Sequence, residues 1–532
     1  MTYSTLVELA LIAALTLTGC SSSSSSPNVV AGPLAALHAE LDPDNGGRIV
    51  DAAGREVLLR GVNVNSLGEY WAYDADAPTV LSFDEADVDA IAGIGWNVVR
   101  LILSWSRVEP EPGRYDEAYL DEAEALVRLF ESREIYTIVD LHQDAWGPSL
   151  AARDDENCPE GTTPAFGWDG APAWATLDED ASRCITDGAV TGRREFSPAV
   201  IQSFLSFWDD AEGPGGVGIQ ARYHAMLSHV AARFSRYDAV AGYDPMNEAN
   251  AFSAEIFAIV APGAGLADQT EALSSFYEHA LAAIREGEER ANSPTRLMLF
   301  EPGNDWAFVP AISVRPIFGH DGQVVYSPHI YQGGITPGNL DESAFQLARD
   351  DAAMYGGVPV LTGEWGTSPE RASDPTDEYF EQHEALQDEF RFGAALWQWS
   401  SACGDPHYAH DPPIGDASND PGIWGFYDLE CPSSRRLGFR DDFAAVLRRP
   451  LLRAAPGPIG NVLWDYDAGV LTASGDAATV GQTLLLFVHQ EVDESAFSLT
   501  GLTNLQVERA VGSGQIWSAS ATDASWKLEV TF

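Results

Sequence analysis

Polar side chains recur where apolar runs of this sequence end. Arg100 lies within the run 97–103. His142 closes 136–142 in the string Asp140-Leu141-His142-Gln143-Asp144. Asn247 and Glu248 close 240–248, and His329 and Tyr331 close 324–331. Glu364 closes 359–366 within Thr362-Gly363-Glu364-Trp365-Gly366, and Trp397 lies in 394–401. Two carboxylates facing one cleft can hydrolyse a glycosidic bond: one protonates the leaving oxygen, and the other attacks or directs water. Glu248 and Glu364 are the candidates. The amide of Asn247 could hold a sugar hydroxyl, Gly363 lets the backbone approach closely, and Tyr331 could orient Glu364. His329 and Arg100 could tune the charge of the pair. Trp397 offers a flat apolar platform for the C–H face of a sugar, and His142 and Asp144 complete the polar set. Taken singly, each has an ordinary structural reading: a helix cap for a strand-end Glu, a satisfied buried His, an ion-paired Arg, a core Trp. Their coincidence at successive run ends favours chemistry.

The elements that must position them are legible. Eight short runs rich in Val, Ile, Leu and aromatics start with 57–63, which a hairpin turning at 51–54 feeds; a run at 296–302 completes the set. Amphipathic stretches at 116–133, 220–235, 269–289, 342–355 and 377–390 separate most of them. Strand–helix alternation implies a parallel sheet, and eight units imply an α/β (β/α)8 barrel, whose active site sits at the C-terminal ends of the strands. The unit after the fifth run is weak, because 305–314 makes a poor helix. From Pro450 onward Pro and Gly mark a boundary, followed by short strands with Gly, Asp and Ser turns, the pattern of a small C-terminal β-sandwich. Trp464, Trp517 and Trp526 there could bind sugar or membrane, or form core; the structural role is preferred. The expected organisation is a signal peptide at 1–19, a Ser-rich tether at 20–36, a catalytic barrel at 37–449 and the sandwich at 450–532.

Composition limits the partners. Lys+Arg is 30 against Asp+Glu 80, a formal net charge of −50, and Lys527 is the sole lysine. That excludes nucleic acid as a partner and disfavours acidic substrates. Residues 9–17 form an apolar run too short to span a bilayer comfortably. It ends in Leu17-Thr18-Gly19-Cys20 before six serines, as in a bacterial lipoprotein signal with Cys20 lipidated, although no Lys or Arg precedes it and Glu8 does. An ordinary cleaved signal peptide is the alternative. Either places the protein outside the cytoplasm, and the lipoprotein reading expects a cell-envelope or outer-surface location with a lipid anchor in the membrane. The other four cysteines allow three pairings; the local one, Cys158–Cys184 and Cys403–Cys431, is preferred. Neither a CxxC nor a close His–Cys spacing supports a zinc site.

Asn97-Val98-Val99-Arg100-Leu101, Asp140-Leu141-His142-Gln143-Asp144, Met246-Asn247-Glu248, Pro328-His329-Ile330-Tyr331, Gly363-Glu364-Trp365 and Trp397, in this order over residues 48–449, resemble glycoside hydrolase family five. Gly170-Ala171-Pro172-Ala173-Trp174, Phe207-Trp208 and Gly242-Tyr243-Asp244-Pro245 resemble its endoglycoceramidase branch. The resemblance implies a retaining mechanism without metal or other cofactor, with Glu248 as acid/base, Glu364 as nucleophile and Asn247 at the 2-hydroxyl. It implies a β-linkage between a glycan and a lipid such as ceramide; a monomer is expected. The long connection 144–198, with Trp146, Phe166, Trp168, Pro172 and Trp174, could wall an apolar trough for the lipid, or only shield the barrel rim. An endo-β-1,4-glucanase or mannanase is the alternative of the same class, and a non-catalytic glycan-binding lipoprotein that of another.

Overall fold

The computed structural model describes residues 34–72, 74–186, 193–336, 338–367, 378–406, 424–510 and 514–532. The expected signal peptide, Cys20 and the serine run lie outside them. Eight parallel strands form the barrel: β1 (Arg60–Val64), β2 (Val98–Ser104), β3 (Tyr136–His142), β4 (Val240–Asp244), β5 (Leu297–Phe300), β6 (Val324–Tyr326), β7 (Leu361–Trp365) and β8 (Gly393–Leu396). Hydrogen-bonded pairing runs from β6 back through β1 to β8 and β7. Bridges from Tyr326 to Val360 and from Ile330 to Trp365 close the ring. All seven residues of β2 and of β3 are buried, as expected for strands covered on both faces.

Helices α1 (Glu85–Ile94), α2 (Glu117–Glu131), α3 (Ile219–Phe234), α4 (Thr270–Ala291), α5 (Glu342–Met354) and α6 (Tyr379–Phe390) surround it. Three start where an Asp accepts from free first-turn amides: Asp84, Asp116 and Asp341. After β5 the chain makes only a 3₁₀ turn, Asn304–Ala307, as the weak helical pattern predicts.

The strands are shorter than the apolar runs. β4 ends at Asp244, β6 at Tyr326 and β8 at Leu396, so Asn247, Glu248, His329, Tyr331 and Trp397 sit on the turns just beyond. Turns at the C-terminal mouth can aim side chains inward without the alternation a strand imposes.

The connection after β3 carries a small antiparallel pair, Thr162–Pro164 with Cys184–Thr186, and the Cys158–Cys184 disulfide; Cys403–Cys431 forms the second bridge. Its tryptophans do not line a trough as a group. Trp146 packs edge-on against Trp105, Phe204 and Phe207 in the core, Trp168 is fully buried, and Trp174 lies against Trp105. Large apolar rings close to other aromatics gain most by joining that cluster. Phe166 stays half-buried and stacks on Trp71.

The C-terminal strands make two facing sheets. One holds β9 (Leu451–Ala455), β12 (Thr483–Val488), β14 (Leu502–Arg509) and β15 (Gln515–Ala521). The other holds β10 (Asn461–Asp465), β11 (Val470–Gly475), β13 (Phe497–Thr500) and β16 (Trp526–Thr531). Alternate residues of β11 and β16 point into a shared core with Leu452, Leu486, Trp517 and Trp526. The first sheet also takes in Leu37–Glu40, Arg48–Asp51 and Glu56–Val57, through Val57 opposite Ala454. The segment before β1 is therefore a structural part of the C-terminal layer. Among the described residues no helix is long and apolar enough to cross a membrane.

Candidate active site

The barrel brings the strand-end residues together. Carboxylate oxygens of Glu248 and Glu364 and a ring nitrogen of His329 lie within 4.8 Å of one another. Glu364 is fixed from two sides: Arg100 Nη1 donates to Oε1 at 3.0 Å and the Tyr331 hydroxyl donates to Oε2 at 2.8 Å. Burial and the adjacent Glu364 push Tyr331 well above the usual phenol range, so it remains the donor. Glu248 meets His329 Nδ1 at 2.8 Å. Burial raises the Glu248 carboxyl to about 7; the His329 contact opposes this, and Asp144 and Glu364 add to it. Burial disfavours the cation at His329, but Glu301, Glu364 and Glu248 outweigh it and hold the imidazole well above its ordinary value.

Beneath this pair lies a layer that does not reach the cleft. Arg100 is fully buried, with ion pairs to Asp140 (3.2 Å), Asp244 (2.9 Å), Glu301 (3.3 Å) and Glu364 (3.0 Å), and it donates to Asn63 and Asn247. Its guanidinium is spent on the protein, so Arg100 acts on the charge and position of the pair, as the sequence suggests, and is not a substrate contact. Burial and the neighbouring Glu301 push the Asp244 carboxyl well above its usual range, and the Arg100 guanidinium opposes them.

His142 Nδ1 meets Asp140 at 2.7 Å, and its ring stacks on Trp397, 5.3 Å between centroids and 13° between planes. Burial opposes the charged ring, but Asp140, Asp169 and Asp144 raise it to about 10. Trp397 clusters with Ile102, Ala307, Tyr331 and Trp424. Asp144 accepts from Trp168 Nε1 at 2.7 Å and from Asn247 Nδ2 at 3.4 Å. Asn247 also donates to the Gln143 carbonyl at 3.1 Å. Two groups, His142–Asp144–Asp169 and Glu248–His329–Glu364, have the donor atoms of a cation site. In both, carboxylate neighbours raise the imidazole above its ordinary value, and a metal would have to displace that proton.

Gly363 is required where it stands. A Cβ there would lie 2.8 Å from Ser327 Oγ and 2.9 Å from His329 Nε2. Four contributors to the buried network escaped the sequence reading: Asn63, Asp140, Asp244 and Glu301. Glu301 was legible in principle, since it ends Leu297-Met298-Leu299-Phe300 as Glu248 and Glu364 end their runs.

Chemically, the arrangement offers one carboxyl that keeps its proton near neutrality and one held by two donors, at a separation that fits double displacement. Retaining enzymes place their carboxyl groups about 5–5.5 Å apart and inverting ones about 6.5–9.5 Å.

Known proteins share this framework. Endoglycoceramidase I of Rhodococcus hoagii is 27% identical over 316 residues, covering 56% of this chain and 53% of that protein; the chain thus spans about half of that relative's length. A crystal structure of endogalactoceramidase superposes with a TM-score of 0.78 at 31% identity, covering 94% of this chain and all of that one. Endo-glycoceramidase II from Rhodococcus sp., solved as a lactosyl-enzyme intermediate, shares the fold with a TM-score of 0.62 at 22% identity, covering 91% of this chain and 98% of that one. The family model of cellulase (glycosyl hydrolase family 5) matches residues 50–402. With more than half of its length under that model and the carboxylate pair at the mouth of the barrel, the chain belongs to glycosyl hydrolase family 5.

Proposed function

We propose that this protein is a retaining, endo-acting β-glycosidase that releases a glycan from a lipid aglycone such as ceramide. The observation that carries the reading is the placement of the Glu248 and Glu364 carboxylates within 4.8 Å of each other, each with different hydrogen-bond partners. Glu364, gripped by Arg100 and Tyr331, attacks the anomeric carbon. Glu248, protonated up to about pH 7, gives its proton to the leaving oxygen and then takes one from the water that cleaves the glycosyl-enzyme. Asn247 sits beside the acid, where its amide can meet the 2-hydroxyl. His142, Asp144, His329 and Trp397 form the sugar-binding wall. The lipid aglycone is supported by likeness to proteins called endoglycoceramidase and endogalactoceramidase.

A panel of ceramide glycosides, sterol glucosides, carboxymethylcellulose and mannan, read by mass spectrometry of products, tests this reading. Release of intact glycan and ceramide is expected. Cleavage of polymer without release of lipid would assign a polysaccharidase instead. Glu364→Gln should lower kcat by at least about a thousandfold while the fold survives, since the nucleophile has no substitute in the cleft; wild-type turnover would end the assignment and revive the glycan-binding alternative.

We also propose export, with Cys20 lipidated and the enzyme held as a monomer at the cell envelope. The residues after the apolar run and the two disulfides support it. Detergent partitioning of the wild type and Cys20→Ala tests the anchor: only the wild type should follow the detergent phase.

A further inference from the structure

Glu248 has an unusual backbone. Its φ is 40°, in the left-handed region that side-chain-bearing residues rarely occupy. Such a conformation persists only where neighbours hold it. Two do. Gln143 Nε2 donates to the carbonyls of Asn247 (2.7 Å) and Glu248 (2.9 Å). Glu301 Oε2 accepts the amide of Glu248 itself at 2.8 Å. The other oxygen of Glu301 lies 3.3 Å from His329 Nε2, and the opposite ring nitrogen, Nδ1, meets the Glu248 side chain. Glu301 thus touches the acid twice: directly at its backbone, and through an imidazole at its carboxyl. It is 2% exposed, and both of its carboxylate oxygens are engaged by the protein.

We infer that Glu301 is the positioning residue of the acid/base arm, fixing both the backbone of Glu248 and the orientation of the imidazole against which Glu248 rests. Its remaining contact, Arg100 at 3.3 Å, is one of four carboxylates on that guanidinium, so the nucleophile keeps its anchor when Glu301 is neutralised. The groups facing the Glu248–Glu301 unit are His329, Arg100, Asp244, Glu364 and Asp144, and Tyr277 accepts the amide of Glu301. The inference rests on the reading of Glu248 as acid.

The leaving group separates this role from a structural one. An alkyl glycoside needs a proton to depart; a dinitrophenyl glycoside does not. The 2,4-dinitrophenyl and n-octyl β-glycosides of a glycan the wild type cleaves are compared by kcat/KM in the full-length enzyme. Glu301→Gln should lose about a hundredfold or more on the octyl glycoside and less than about fivefold on the dinitrophenyl one. Glu248→Gln, run beside it, should show the same split. If Glu248→Gln shows none, the acid reading falls. If only Glu301→Gln lacks the split, by losing both activities equally or neither, the inference is overturned. Should Glu301→Gln not fold, Glu301→Asp, which keeps the charge but shortens the reach, is measured the same way. A folded Glu301→Asp without the split overturns the inference, and so does failure of both variants to fold, because the barrel is expected to tolerate the loss of one of four carboxylates on Arg100.

Discussion

At the residue scale, function depends on giving two chemically identical side chains different surroundings. Glu364 receives two donors, Arg100 and Tyr331. Glu248 receives burial and a single imidazole, and its carboxyl is pushed up to about 7. The consequence for activity has a definite sign. The acid must hold its proton to protonate the leaving oxygen, so kcat/KM for a substrate with an unactivated aglycone should fall as pH rises through about 7. On a dinitrophenyl glycoside the same limb should be absent, because no proton is needed there. A pH profile of both substrates checks it; an alkaline limb of equal size on the two would show that some other group sets it.

At the element scale, the site depends on the turn after β6 lying close against Gly363 of β7. Gly363→Ala would place a methyl on Ser327 and on the imidazole of His329. Overpacking of this kind costs about 1–3 kcal/mol, and a displacement of the acid's partner by about 1 Å can cost about a hundredfold in rate. The variant should therefore keep its fold with a modestly lowered Tm and lose at least about tenfold in kcat, in a calorimetric and kinetic comparison; full activity would mean that His329 moves without consequence. The pieces of this assembly were unequally legible. Polar residues ending apolar runs stand out in a sequence, which is why Glu248, His329, Tyr331 and Glu364 were found. The helices α2 to α6 were found from their 3.6-residue apolar spacing. Glu301 and Asp244 ended such runs too, but their partners are Arg100 and His329, side chains far away in the chain, and no local pattern joins them. The pairing of Val57 with Ala454 was also out of reach. Nothing local in a short edge strand states which distant strand it will meet. The tryptophans after β3 misled for a related reason: an aromatic in a long connection reads the same whether it faces a ligand or a neighbouring ring.

At the scale of the whole molecule, barrel and sandwich are sewn together. Leu58, just before β1, shares the sandwich core, Ile459 donates its amide to the buried Glu56, and Tyr466 donates to Glu384 on α6 at 2.6 Å. Deleting 456–532 should leave a barrel that is insoluble or melts well below the full chain, by thermal unfolding monitored with circular dichroism; a stable, active barrel would make the second layer dispensable. The surface carries a longer-range argument. With a net charge of −50 and no lysine in the barrel, the protein approaches any interface as a polyanion. Repulsion between exposed charges is felt over a Debye length of about 30 Å at 0.01 M salt but only about 10 Å at 0.1 M. Hydrolysis of a neutral glycosylceramide in vesicles doped with an anionic phospholipid should therefore accelerate several-fold as salt rises across that range, through the encounter rate. In purely zwitterionic vesicles it should change little. The comparison isolates the field from the site, because the scissile bond is the same in both vesicles; equal salt responses would mean that the acidic surface does not govern access to the lipid.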